Sequence, residues 1–186
     1  KLEQYKITRL GMGRTFQNIR LFKGLTVEEN VMCAFDPQSK YSIVGGLLPT
    51  PKRCAEEKRG RELCEKYLEV VGMKDYLHER PENLSYGMQR RIEIARALMC
   101  EPKILLLDEP AAGLNPTEVG ELTELIQRIS KDIGFGILLI EHRLELVMSI
   151  SDMIHVQNFG ETIAVGTPDE VQHNPEVIEA YLGKEE

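Results

Sequence analysis

The stretch Ile104-Leu105-Leu106-Leu107-Asp108-Glu109-Pro110 constrains this chain more than any other. Four consecutive branched apolar residues leave no polar face, so as a strand they suit burial on both sides of a parallel sheet. Ile137 to Ile140 predicts a second buried strand, and Met153 to Val156 fits a third strand. The turn Asn158-Phe159-Gly160 leads into another at Thr162 to Val165, and Met12 to Phe16 fits a short strand with a poorer pattern.

Helices are expected between these runs. Thr26-Val27-Glu28-Glu29 is a capping-box sequence, so a helix runs from Val27 toward Phe35. Asp36 to Lys52, rich in Pro, Gly and Ser, reads as a loop, and Arg53 to Val71 as a helix stopped by Gly72. Arg80 to Asn83 is a loop. From Ser85 to Met99 the residues Met88, Ile92, Ala95 and Met99 form one stripe, with Arg90, Arg91, Glu93 and Arg96 as charges around it. Asn115-Pro116-Thr117-Glu118 starts a helix that Gly134 ends; its buried face is Val119, Leu122, Ile126 and Ile129. Leu144 to Met148 is a short helix, and Thr167-Pro168-Asp169-Glu170 caps a closing one. Alternating strands and helices predict an α/β fold with parallel strands.

The 186 residues suffice for one domain with a real core, with room for a small subdomain. A net charge of −7 argues against a nucleic-acid partner. No apolar run approaches the roughly 20 residues of a membrane span, and Lys1-Leu2-Glu3-Gln4 opens no secretory signal. Cys33, Cys54, Cys64 and Cys100 form no Cys-x-x-Cys pair and read as reduced thiols.

Four features carry chemistry. The strand Ile104 to Leu107 delivers Asp108 and Glu109 to the sheet edge where open α/β folds bind ligands. One carboxylate can hold Mg²⁺ through its waters; the other can orient or deprotonate an attacking water. Leu84-Ser85-Tyr86-Gly87-Met88-Gln89 sets a hydroxyl and a Gly at a helix N-terminus, which suits a phosphate and equally suits a plain capped helix. His142, just beyond the second strand, can hydrogen-bond a terminal phosphate, and Gln17, after Met12 to Phe16, can meet Mg²⁺ or the lytic water.

In this order the features resemble the nucleotide-binding subunits of ABC transporters. Gln17 matches the Q-loop glutamine. Leu84 to Gln89 matches the signature usually written LSGGQ, Ile104 to Asp108 the Walker B strand, and Glu109 the catalytic glutamate. Ala112-Gly113-Leu114-Asn115 matches the D-loop and His142 the switch histidine. The stretches Gly13 to Phe22, Leu25 to Asn30, Leu84 to Gly87 and Ala111 to Pro116 look closest to the ATPases of branched-chain amino acid importers. Tyr86, Met88 and Asn115 depart from the usual signature Gly, signature Gln and D-loop Asp.

The resemblance implies a P-loop NTPase-like core with an inserted helical subdomain. Residues 1–26 would be core with the Q-loop, 27–98 the helical subdomain, and 99–186 core with Walker B, D-loop and switch. No Gly-x-x-x-x-Gly-Lys-Ser/Thr occurs, and only 16 residues precede Gln17, so the expectation is a fragment whose phosphate loop lies upstream. As written, such a chain is not expected to bind ATP tightly. The implied cofactors are ATP and Mg²⁺, and the implied partners a second ATPase subunit and transmembrane permease subunits. The implied location is the inner face of the cell membrane, in the cytoplasm. In the implied dimer Ser85, Tyr86, Gly87, Gln89 and Asn115 serve nucleotide binding, Ser85 and Gly87 at the partner's nucleotide. Asp108 and Gln17 hold Mg²⁺, Glu109 is the base, and His142 and Gln17 sense the γ-phosphate. A non-transport ABC ATPase acting on DNA or the ribosome is the rival; its usual tandem domains or long coiled-coil insertions are absent here.

Overall fold

The computed structural model describes residues 2–35 and 50–181, and they form two compact units divided after Ile140. The loop expected at 36–52 therefore lies mostly outside the described residues.

In the first unit, helix α1 (Gln4–Arg9) leads into strand β1 (Met12–Arg14). Helices α2 (Val27–Met32), α3 (Pro51–Val70) and α4 (Tyr86–Leu98) follow, with short 3₁₀ turns at Lys74–Tyr76 and Pro81–Asn83. Then come strand β2 (Ile104–Asp108), helix α5 (Pro116–Ile133) and strand β3 (Gly136–Ile140). The sheet is parallel in the order β1-β2-β3, with Arg14 opposite Leu106 and Leu106 opposite Leu138. Helix α4 packs against α2, α3, α5 and β1, so it is the hub of this unit.

Local chemistry accounts for the helix ends. Thr26 accepts from the Glu29 amide while the Glu29 carboxylate accepts from the Thr26 amide, and Asn115 and Glu118 repeat the device on α5. Gly134 closes α5 at φ 73°, a left-handed position that suits glycine. Helix α3 starts at Pro51, two residues before the expected Arg53, because Thr50 caps it.

Two expectations are corrected. The run Ile137 to Ile140 was expected to be buried, yet Leu138 and Ile140 are each 57% exposed. Among the described residues no strand pairs with the outer edge of β3, and its face shared with Met12 and Ile104 is open. Burial alternates instead: on the opposite face Leu105 and Leu107 are each 1% exposed, against the helices.

The second unit holds helix α6 (Leu144–Ile150), strands β4 (Ile154–Asn158) and β5 (Glu161–Gly166), and helices α7 (Pro168–Gln172) and α8 (Pro175–Tyr181). Here the second correction falls. The strand at Met153 to Val156 joins no parallel sheet; β4 pairs antiparallel with β5. Phe159 and Gly160 sit at φ 48° and 85°, and two positive values in a two-residue loop make the tight hairpin turn that only antiparallel strands can use. Ile154, Val156, Val171 and Val177 form this unit's core.

Candidate functional site

The C-terminal edge of β2 carries the acids. Asp108 is the last strand residue, and Arg14 Nη2, one strand over on the same face, donates to its Oδ2 at 2.9 Å. Glu109 turns out of the strand at φ 43°, a left-handed conformation that few residues other than glycine adopt and that tends to mark functional sites. The Glu109 amide still donates to the Ile140 carbonyl at 2.9 Å, which ties the turn to β3. Gln17 Nε2 donates to Glu109 Oε2 at 2.7 Å. Two acids adjacent in sequence thus have different partners, one a cation and one an amide.

The loop bearing Gln17 is held from below by α4. Arg90 Nη1 donates to the Phe16 carbonyl and Nη2 to the Gln17 carbonyl, both at 2.8 Å. Arg90 Nη1 also meets Glu93 Oε2 at 2.6 Å, and both side chains are buried. Glu93 Oε1 accepts from the Phe16 amide at 3.4 Å. Burial pushes the Glu93 carboxyl up from its ordinary 4.5, opposed by Arg90, the Phe16 amide and Arg96. Arg96 Nη1 donates to the Arg20 carbonyl at 2.6 Å. Sequence reasoning placed Arg90 and Glu93 as charges around an apolar stripe. That is corrected: Ile92 to Ala95 are all buried, so this helix has no outer face for them there. Their three-residue spacing on a helix otherwise crowded with Ile, Ala and Leu was the available signal.

The N-terminus of α4 carries the candidate residues Ser85 to Gln89. Ser85 caps it, accepting from the Met88 amide at 3.3 Å, and Gln89 Nε2 donates to the Leu84 carbonyl at 3.0 Å. Tyr86 is half-exposed and lies against Gly113, where an added Cβ would sit 3.1 Å from its ring. Gly113 has φ 77°, so bulk and backbone both require glycine there. A Cβ on Gly87 would come within 2.8 Å of Glu118 Oε1, the same carboxylate that closes the Asn115 cap. The turn at Ser85 to Gly87 and the segment from Gly113 to Glu118 are therefore neighbours. A cavity of about 230 Å³ opens beside them, lined by Ser85, Gly87, Met88, Arg91, Leu114 and Glu118 among others.

His142 belongs to the second unit. Its side chain is 66% exposed, and its Nδ1 lies 3.9 Å from Glu141 Oε2.

Mg²⁺ prefers oxygen ligands, is usually bound through one or two carboxylates, and keeps several waters. Asp108 and the Gln17 amide oxygen fit that demand. Among the described residues no group of three or more His, Cys, Asp or Glu could hold a metal by itself. No helix among them is long and apolar enough to cross a membrane.

Comparison with known proteins gives concordant matches. A family model described as ABC transporter matches residues 1–112, and one described as branched-chain amino acid ATP-binding cassette transporter matches residues 161–186. The high-affinity branched-chain amino acid transport ATP-binding protein LivG of Salmonella typhimurium is 47% identical over 179 residues, 96% of this chain and 70% of that protein. BraF of Pseudomonas aeruginosa, described in the same words, is 45% identical, covering 98% of this chain and 72% of its own. Among solved structures, the ADP conformation of MJ1267, an ATP-binding cassette of an ABC transporter, superposes with TM-score 0.77 at 29% identity. It covers 98% of this chain and 72% of that one. CbiO1 of Clostridium perfringens, part of an ABC transporter complex, gives TM-score 0.74 at 31% identity, covering 92% of this chain and 62% of that one.

Proposed function

This chain belongs to the ABC transporter family of ATP-binding proteins, and from that premise we propose that it serves as the ATP-hydrolysing subunit of an importer for branched-chain amino acids. The observation that carries the reading is the 2.7 Å hydrogen bond from Gln17 to Glu109, at a sheet edge with Asp108 beside it. It brings the amide read as water-positioning against the carboxylate read as base, which supports that assignment.

The roles follow. Glu109 takes the proton of the attacking water, and Gln17 orients that water and reports the γ-phosphate. Asp108 and Gln17 would hold Mg²⁺, and that ion would neutralise phosphate charge. His142 meets the γ-phosphate. Ser85, Tyr86, Gly87 and Gln89 present the N-terminus of α4 to a nucleotide held by a second ATPase subunit, and Asn115 lies at that junction. Residues 27–98 act as the helical subdomain between residues 1–26 and 99–186 of the core. Permease subunits bind near the Gln17 loop, which puts the chain on the inner face of the membrane, in the cytoplasm. The matched relatives, named for branched-chain amino acid transport, support the substrate class over a DNA- or ribosome-directed ATPase.

The test is Glu109→Gln in a subunit that carries this sequence behind a phosphate-binding loop. The amide keeps the shape and cannot take a proton, so turnover should fall by about 100-fold or more while MgATP still binds. Normal turnover in that variant would remove Glu109 as the base. His142→Ala should also impair hydrolysis.

A further inference from the structure

The buried charges of α4 are not used by the roles above. Arg90 is fully buried, and Glu93 is 2% exposed. A buried ion pair is a poor way to gain stability, because desolvation offsets the attraction. This one is not even fully satisfied, since Arg90 Nε is buried without a hydrogen-bond partner. What it does reach is specific. Two Arg90 nitrogens take the carbonyls of Phe16 and Gln17, and Glu93 takes the Phe16 amide.

That loop has little else to place it. The Thr15 amide makes the last ladder bond, to the Leu106 carbonyl. From Phe16 to Leu21 there is no backbone–backbone hydrogen bond among the described residues. The far end is anchored by buried Asn30, which bonds the amide and carbonyl of Phe22 and the carbonyls of Leu25 and Thr26. Between these anchors, Arg90, Glu93 and Arg96 supply the fixed points, three residues apart along one ridge of α4. The same helix begins at the signature residues Ser85 to Gly87.

We propose that Arg90, braced by Glu93, is a positioning residue: it fixes the backbone that presents Gln17 to Glu109 and so ties the signature end of α4 to the hydrolysis site of its own subunit. The catalytic consequence rests on the roles given to Gln17 and Glu109 above; the positioning itself does not. A displacement of α4 by a ligand at its N-terminus is passed through Arg90 to the carbonyl of Gln17.

Arg90→Ala alone leaves buried Glu93 with only Arg96 at 3.9 Å and the Phe16 amide, and risks unfolding, so the decisive variant is the apolar pair Arg90→Met with Glu93→Leu, which keeps the volume. The first readout is NMR backbone order parameters on the chain. The wild type should be rigid at Phe16 and Gln17, about 0.85, and the double variant should drop below about 0.6 there, with α3 and α5 unchanged. The second is steady-state hydrolysis in a subunit carrying this sequence behind a phosphate-binding loop. There kcat should fall by about 10- to 100-fold with little change in KM for MgATP. Arg90→Lys, which keeps the charge and can reach one carbonyl, should recover part of both. Unchanged order at Phe16 and Gln17 in the double variant would overturn the proposal, and so would a loss of order spread evenly through the unit. If the wild-type subunit showed no ATP turnover, the functional reading would fail while the order parameters still decided the positioning role.

Discussion

At the scale of single residues, burial decides what chemistry a side chain keeps. Cys64 is 1% exposed, and burial, with the charges of Glu28 and Glu65 adding, pushes its thiol up to about 12. Thiolate is the reactive form, so alkylation at pH 8 should label exposed Cys33 and Cys54 and spare Cys64 until denaturant is added. Peptide mapping of the labelled protein checks this; equal labelling of Cys64 in the native protein would contradict the packing of α2 on α3. Gly87 gives a second residue-scale expectation. A methyl there collides with Glu118 Oε1, on the carboxylate whose Oε2 accepts from the Asn115 amide. Gly87→Ala should therefore weaken the α5 cap and cost about 0.5–2 kcal/mol in urea unfolding, although alanine favours helices elsewhere. Sequence made Gln17, Asp108 and Glu109 legible because their order matches a motif. It hid Arg90 and Glu93, because a charged letter says nothing about whether a helix has an outer face.

Elements were most legible where a backbone need is met by neighbouring side chains. Thr26, Asn115 and Thr167 each announce a capping box, and each forms one. Asn115→Ala should cost about 1 kcal/mol by denaturant midpoint. The Thr167 cap adds a pH dependence. Hydrogen bonds from the Thr167 amide and hydroxyl hold the Glu170 carboxyl below its ordinary 4.5. A lowered carboxylate contributes stability that is full above 4.5 and is lost as the pH falls through the lowered value. Glu170→Ala should flatten that acid limb in a pH series of melting curves; an unchanged limb would mean the cap does not hold in solution. Strand neighbours were less legible than helix ends. Ile137 to Ile140 is apolar on both faces, which tells of two partners but not of where they come from. The turn at Asn158 to Gly160 was legible, but the antiparallel direction of β4 and β5 was not, because its signal is two positive φ angles, one of them at Phe159, a residue that rarely marks such turns.

Across the whole molecule, the α/β class followed from two apolar runs and the capped helices between them, and the core of the first unit lies where those runs meet α4 and α5. The opposite face of the sheet is what patterning alone could not settle. Met12, Ile104, Leu138 and Ile140 share it in register and are 36%, 44%, 57% and 57% exposed. Beside them the outer edge of β3 offers backbone N–H and C=O groups with no strand partner among the described residues. An apolar sheet face next to an open edge is a template for pairing with another chain. The 186-residue chain should therefore self-associate with rising concentration and bind an environment-sensitive apolar dye in its folded state. Leu138→Lys puts a charge on that face at an edge position, where edge strands commonly carry lysine. It should shift sedimentation toward monomer and reduce dye binding, with unfolding free energy changed by no more than about 0.5 kcal/mol, as for a surface site. Leu107→Lys, on the buried face of β2, is the control: at 1% exposure it should unfold the unit instead. A wild-type chain that stayed monomeric and dye-free at every concentration would show that this face is covered in solution.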